Sequence, residues 1–146
     1  MKGIALDAPA NFVTIFLVMR NIVTIARALG DETRWRIVRL AMDEALCVCE
    51  LADILGMPQS SVSSHVQVIR KAGLLESEKC EKWTYFRIAR EFLPLVRSLS
   101  KFFSEEEAGF FPEDSRKAAK RLCERENSCC PRPKQLAPRR KSTATR

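Results

Sequence analysis

The sequence contains very little histidine, since His65 is the only imidazole among 146 residues. It has five glycines, and they do not form the glycine-rich loop that cradles phosphates. No pair of carboxylates stands in a pocket-like context. We therefore expect that the protein is not an enzyme and that no metal site is built on histidine.

A long apolar run is missing as well. Residues 12–19 are apolar except for Thr14. Arg20, Asn21 and Arg27 interrupt the pattern beyond it, and no small-residue cleavage site follows. We expect neither a secretory signal nor a membrane span, and we expect the reducing cytoplasm, where clustered thiols bind metals or carry out redox chemistry. The six cysteines are Cys47, Cys49, Cys80, Cys123, Cys129 and Cys130.

Basic residues are concentrated near the C-terminal end. The chain has 25 lysines and arginines against 18 acidic residues, a net charge of +7. Six of the basic residues lie in positions 132–146, where no acid occurs, so the remainder carries a net charge of only +1. This segment either attracts DNA phosphates without regard to sequence or serves as a disordered, solubilising end.

Two short helical patterns between residues 46 and 73 organise the chain. In the first, apolar residues recur at helical spacing at Val48, Leu51, Ala52 and Leu55. Gly56 is suited to end that helix, and Pro58 is suited to the start of the next. In the second, the apolar positions are Val62, Val66 and Ile69.

The opposite face of the second helix predicts contact with DNA. It has no acidic residue and many short hydrogen-bonding side chains, which can approach phosphates and base edges without repulsion. Two helices joined by a tight turn, the second of them polar, form the layout of a helix-turn-helix. The predicted DNA-binding residues of this helix are Gln59, Ser60, Ser61, Ser63, Ser64, His65, Gln67 and Arg70.

After Gly73 the pattern changes to the alternation typical of strands. Residues 74–79 and 83–88 predict a β-hairpin, which directly after a recognition helix is a wing. Lys79 and Lys82 are predicted to reach the DNA backbone or minor groove. Because the connecting residues 80–82 contain no glycine, we expect a longer and less regular loop than a two-residue turn.

Apolar helical patterns at residues 10–29 and 89–104 flank this unit. The first is apolar beyond one face, which indicates burial both in its own domain and against a partner chain. The two helices are the natural dimer pair, and residues 112–126 predict a last, mostly charged helix. The predicted dimerisation residues are Ile15, Met19, Ile22, Leu95, Leu99 and Phe102.

These patterns predict a mostly α fold with a small β-hairpin (α+β). We expect a dimeric winged helix-turn-helix with five core helices plus a wing, spanning residues 10–104. An extension at 1–9 precedes it, and a helical extension at 105–126 follows it. Residues 127–146 are expected to form a disordered, basic, cysteine-containing tail, because they are rich in proline and charge.

Residues 23–103 resemble the ArsR/SmtB family of metal-sensing winged-helix repressors. The resemblance rests on the stretches Ala28–Ile37, Leu46–Leu51, Val62–Val66 and Arg70–Leu75. It implies a homodimer that binds double-stranded operator DNA when free of ligand and is released by a metal or metalloid. The Cys-Val-Cys element at 47–49 is similar to that of arsenical-sensing and of cadmium/lead-sensing members. Two departures are Ala52, where some arsenical sensors carry a third cysteine, and Ser64, where a basic residue is common.

Cys47 and Cys49 are two residues apart, so their sulfurs diverge on a regular helix and share one face of an extended segment. Soft thiolates select thiophilic ions. A third thiolate must come from elsewhere, and the candidates are the vicinal pair Cys129 and Cys130, then Cys123 and Cys80. We hypothesise that chelation pulls the first turn of the helix-turn-helix out of its DNA-binding shape. The predicted metal ligands are Cys47, Cys49, Cys129 and Cys130.

The leading expectation is a repressor released by As(III) or Sb(III), with no organic cofactor. A Cd(II)/Pb(II) sensor of the same family would need four thiolates, which six cysteines can supply. A thiol redox sensor is a further alternative, with oxidation at the same cysteine pairs. The last alternative is a chromatin-like DNA-binding protein that has no ligand and binds DNA mainly through its basic segment.

Overall fold

The computed structural model describes residues 22–103, 111–128, 130–136 and 139. The α-helices are α1 (Ile22–Leu29), α2 (Glu32–Leu40), α3 (Val48–Leu55), α4 (Gln59–Lys71), α5 (Leu93–Phe102) and α6 (Phe111–Cys123). The strands are β1 (Leu46–Cys47), β2 (Leu75–Cys80) and β3 (Trp83–Ile88), and short 3-10 helices span Arg90–Phe92 and Arg125–Asn127. This is the predicted winged helix-turn-helix, with five core helices and a wing.

The signals that predicted the helix-turn-helix act as expected. Gly56 closes α3 with φ 65°, a left-handed conformation that suits glycine because it lacks a Cβ. Pro58 lies directly before α4, where its missing N–H costs nothing. The carboxylate of Asp31 caps α2 by accepting the backbone N–H of Arg34 at 2.9 Å.

The core lies where α4 meets α2 and α3. Val62, Val66 and Ile69, the predicted apolar face of α4, are all fully buried. This burial fixes the rotation of α4 about its axis, and the polar residues therefore face outward. The other fully buried core side chains include Ile37, Val38, Leu46, Leu51, Ile54, Leu74, Ile88 and Val96.

The three strands form an antiparallel sheet in the order β1-β3-β2. Cys47 pairs with Tyr85, and Cys80 pairs with Trp83 at the end of the hairpin. The second pairing leaves only a two-residue turn, so the expectation of a longer loop at 80–82 is wrong. Glu81 adopts a φ of 55° in that turn without glycine's freedom. Six paired residues on each strand hold it there at a cost of about 1–2 kcal/mol.

Helix α6 packs against α2 and α3. It is held to α2 by the buried carboxylate of Asp114, which accepts two hydrogen bonds from Arg36 at 2.7 and 2.8 Å. Beyond α6 the chain turns through the 3-10 helix and crosses the sheet. We call residues 130–136 the C-terminal strap.

The strap differs from the expectation of a disordered tail from residue 127 onward. Cys130 and Pro133 are buried, and Leu136 is half-buried. Composition predicted disorder, but the prolines remove N–H groups that an extended surface segment would otherwise leave unpaired. The domain boundaries proposed from the sequence stay predictions.

The predicted dimerisation residues are only partly described. Ile15 and Met19 lie outside the described residues. In the single chain Ile22 and Phe102 are 70% and 82% exposed, Leu95 is exposed and Leu99 is half-buried. None of the described helices is long and apolar enough to cross a membrane.

Candidate functional site

Three cysteine thiols converge at the start of α3. The sulfur of Cys49 lies 3.0 Å from that of Cys47 and 3.2 Å from that of Cys130, and the remaining pair is 3.6 Å apart. Cys47 and Cys130 are buried, whereas Cys49 is half-buried. Within the described ranges this is the one group of three or more side chains placed to hold a metal.

The backbone conformation at Cys47 explains how the sulfurs of Cys47 and Cys49, two positions apart in sequence, come into contact. Cys47 has extended dihedrals, φ −86° and ψ 168°, and is the residue before the first turn of α3. Cys49 is already helical, and the bend between them brings the sulfurs together. The expectation that the two sulfurs diverge when this turn is helical is therefore wrong, because they meet while α3 keeps its first turn. That chelation pulls the turn out of its DNA-binding shape stays a prediction.

Directly behind the thiols lies a buried ion pair. Arg125 donates to both carboxylate oxygens of Glu50, at 2.7 and 3.0 Å, and also to the carbonyl of Ala45 at 2.7 Å. Glu50 additionally accepts the backbone N–H of Cys47 at 3.0 Å. Glu50 is fully buried and Arg125 is 5% exposed. The pair thus links the chain after α6 to the start of the helix-turn-helix.

Cys130 is placed by a short run of contacts on both sides. Ser128 donates its hydroxyl to the Arg125 carbonyl at 2.8 Å, and the Cys130 N–H lies 3.4 Å from that hydroxyl oxygen. Arg121 approaches the Cys130 sulfur at 3.8 Å. On the other side, the Tyr85 hydroxyl donates to the Pro131 carbonyl.

The rest of the strap is anchored to the wing. The buried carboxylate of Glu78 on β2 accepts three successive backbone N–H groups, those of residues 134, 135 and 136, at 2.9, 2.8 and 2.7 Å. Three consecutive amides around one carboxylate form an anion-binding nest. Arg139 then donates to the carbonyls of Met42 and Ile88, each at 2.7 Å.

The electrostatics keep the deepest thiol neutral. Burial, followed by the contact with Cys49, raises the pKa of Cys47 well above that of a free thiol. Burial also raises the pKa of Tyr85, which therefore stays a hydroxyl donor. Cys47 is consequently a thiol at neutral pH, and an ion that binds its sulfur must displace that proton.

The other described cysteines, Cys80 and Cys123, lie apart from the cluster. Cys129 lies outside the described residues. Cys80 is buried, and its sulfur lies 3.9 Å from the Arg132 carbonyl rather than among the three thiols. Cys123 is exposed on α6. Sequence reasoning missed Glu50 and Arg125, because a lone acid and a lone base 75 residues apart carry no signal of their pairing.

The predicted DNA-binding residues lie along one outer face of α4 and at the hairpin. Ser64 bonds back to the Ser60 carbonyl at 3.1 Å, and His65 approaches Asp31 at 3.5 Å. The face includes no acid. The exposed members are Gln59, Ser60, Ser64, Gln67, Arg70, Lys79 and Lys82, and the half-buried ones are Ser61, Ser63 and His65.

A helix-turn-helix whose second helix turns a polar face outward, followed by an antiparallel β-hairpin, defines a winged helix-turn-helix DNA-binding protein. The model of the bacterial regulatory proteins of the arsR family matches residues 31–77. An arsenic resistance transcriptional regulator of Pseudomonas putida is 36% identical over 87 residues, covering 57% of this chain and 68% of that one. The cadmium resistance transcriptional regulatory protein CadC of Listeria innocua is 32% identical over 81 residues, covering 55% and 68%.

The chain belongs to the arsR family of transcriptional regulators. Members of this family are DNA-binding proteins and not enzymes, which confirms the expectation drawn from the sequence. The fold is shared with the homodimeric winged helix-turn-helix DNA-binding domain of a possible ArsR-family regulator from Mycobacterium bovis. That structure has a TM-score of 0.53 and 23% identity, and the match covers 74% of this chain and 94% of that one.

Proposed function

We propose that the protein is a repressor that binds operator DNA as a homodimer and is released when As(III) or Sb(III) is held by three cysteines. The ligands are Cys47, Cys49 and Cys130. The observation that carries the proposal is the mutual approach of their sulfurs, at 3.0, 3.2 and 3.6 Å. The need for reduced thiols supports a place in the cytoplasm.

The spacing of the sulfurs favours a three-coordinate ion. Around a tetrahedral metal with bonds of ~2.3 Å, sulfurs lie about 3.8 Å apart. All three separations here are shorter, so the three thiols would suit a smaller, three-coordinate ion. Trivalent arsenic and antimony are thiophilic and take this geometry.

Proton balance supports the same choice. Arsenous acid would exchange its three hydroxyls for three sulfurs, and each hydroxyl would leave as water with the proton of the thiol that replaces it. No proton would then be released to solution. A divalent cation must instead expel each proton into solution, which burial makes costly for Cys47. A Cd(II)/Pb(II) sensor remains the alternative, supported by the cadmium-resistance relative, with Cys129 as a candidate fourth ligand.

The DNA-binding surface is proposed to be the outer face of α4 with the wing. Its short polar side chains can approach base edges, and Lys79 and Lys82 supply charge for phosphates. The exposed apolar side chains of Ile22, Leu95 and Phe102 are proposed to be covered by a second copy. A dimer would present two such helices to a two-fold symmetric operator.

Release is proposed to follow from locking the strap. An ion bound to all three sulfurs favours the arrangement in which the strap is docked against α3 and the wing. If that arrangement binds operator less well than an undocked one, the ion shifts the population away from DNA.

The test uses fluorescence anisotropy on a duplex selected from a random library with the reduced protein. Arsenite should release wild type and the control Cys123→Ser, whose cysteine is exposed and outside the cluster. Cys47→Ser, Cys49→Ser and Cys130→Ser should each bind the duplex and resist release. An undiminished response in all three would overturn the proposal. Cadmium, lead and peroxide arms of the same assay test the alternative inducers.

A further inference from the structure

We infer that the buried Glu50–Arg125 ion pair is the positioning element that brings Cys130 to Cys47 and Cys49, an inference that rests on the function proposed above. Neither residue is one of the proposed ligands. Each acts through the backbone next to a ligand, and together they join two parts of the chain that sequence separates by 75 residues.

The pair contacts the segments that carry all three ligands. On one side, Glu50 follows Cys49 directly in sequence and accepts the backbone N–H of Cys47 at 3.0 Å. On the other side, the Arg125 carbonyl accepts the Ser128 hydroxyl, which in turn lies 3.4 Å from the Cys130 N–H. The guanidinium carbon also stands 5.5 Å from the ring centroid of Tyr85, whose hydroxyl holds Pro131.

Other contacts near Cys130 are more exposed or lie beyond it. The Arg121–Asp53 bond is 2.9 Å long, but the Asp53 side chain is 60% exposed. The Glu78 nest holds the strap only after residue 133. Among the described residues, the Glu50–Arg125 pair is therefore the buried ion pair that lies nearest to Cys130 on its N-terminal side.

Stability alone is a weak reason for such a pair. A buried ion pair gives little net stabilisation over apolar residues of similar volume, because desolvation offsets the attraction. Its bidentate geometry does fix position and orientation, which is what three convergent thiols require. Without it, Cys130 is held mainly from its C-terminal side, through Tyr85 and the Glu78 nest, and its sulfur is less well oriented toward the other two.

The expected effect is a loss of arsenite affinity of about 10–100-fold, the usual consequence of losing a group that orients a metal ligand. The effect should vanish when Cys130 is already absent, because the pair acts through it. A general loss of stability would instead weaken binding in both backgrounds.

The experiment is a double-mutant cycle in the full-length reduced protein. Glu50→Gln/Arg125→Met removes both charges, so no lone charge is buried and the fold is retained. It is combined with Cys130→Ser, and Arg125→Lys serves as the conservative variant. The control is Arg132→Met, whose ion pair with Glu126 is exposed in the same part of the chain. Arsenite is titrated while the sulfur-to-arsenic absorption is recorded, and protected thiols are counted.

Glu50→Gln/Arg125→Met should lose 10–100-fold in affinity and protect two thiols of the cluster instead of three. It should cost nothing further in the Cys130→Ser background, Arg125→Lys should lie between, and Arg132→Met should match wild type. Equal losses in both backgrounds, or no loss, would overturn this inference alone. If Cys130→Ser itself binds arsenite as wild type does, the three-cysteine site is wrong and the inference fails with it.

Discussion

Replacing Arg125 by methionine should destabilise the protein far more than replacing an exposed arginine, because Arg125 is buried. The substitution leaves the carboxylate of Glu50, which is fully buried, without its partner. It also strips the Ala45 carbonyl of its donor. Uncompensated burial of one charge of a pair costs about 3–5 kcal/mol. For a chain of this size we expect Tm to fall by about 10–20 °C.

Arg132→Met is the matched control. Arg132 makes an ion pair of 3.1 Å with Glu126, but their side chains are 66% and 72% exposed. Such pairs contribute less than about 1 kcal/mol. The two arginines lie seven positions apart, so the comparison isolates burial from charge. Glu50→Gln/Arg125→Met should recover most of the loss, because neither charge remains unpaired.

The measurement is thermal unfolding followed by circular dichroism at fixed protein concentration, since a dimer unfolds in a concentration-dependent way. Urea unfolding provides the free energies. If Arg125→Met costs no more than Arg132→Met, the segment after α6 is not docked on Glu50. The pair would then not be what brings Cys130 to the cluster.

The strap, the thiols and the exposed apolar face can each be tested by one substitution or titration. Burial opposes ionisation of Glu78, but three amide donors outweigh it and lower the pKa of this carboxyl. The ionised carboxylate therefore stabilises the fold above the ordinary glutamate pKa, and this stabilisation is lost as pH falls through the lowered pKa. Glu78→Gln should therefore lower the free energy of unfolding by about 2 kcal/mol at pH 7 and by progressively less in acid. Thermal unfolding of variant and wild type at pH 7 and in acid measures this, and an equal difference under both conditions would contradict it. Because Cys47 is held as a thiol, cadmium affinity should rise about tenfold per pH unit for each proton released, whereas arsenite affinity should stay nearly flat between pH 6 and 8. Titration calorimetry in two buffers measures both affinities. Parallel pH dependences for the two ions would contradict this prediction. Phe102→Glu should yield monomers by sedimentation velocity, and a persistent dimer would place the interface elsewhere.

Much of the fold could be predicted because its signals are local. The spacing of Val62, Val66 and Ile69 indicated which face of α4 is buried, and Gly56 and Pro58 marked the turn. These residues act on neighbours within a few positions, so the sequence displays the whole cause. The hairpin turn was missed because Glu81 adopts a left-handed conformation that its neighbours impose.

The cysteine cluster was predictable only in part. Cys47 and Cys49 are recognisable as a pair from their spacing, and Cys130 was one of several candidates for the third position. The choice among those candidates depends on Glu50 and Arg125, which meet only after the core has formed. Disorder was expected for the same reason: composition does not reveal that a carboxylate on β2 accepts three amides of the strap.

The location of the thiols explains how one small ion can affect a whole DNA-binding surface. Cys47 lies directly before the first turn of α3 and Cys49 lies within it, and α3 packs against the recognition helix α4. Cys130 lies 81 residues beyond Cys49 in a strap that is anchored to both strands of the wing, through Glu78 and Tyr85. An ion bonded to all three sulfurs therefore links the two elements proposed to touch DNA. Under the proposed mechanism its binding energy would act on their relative placement, without unwinding of α3.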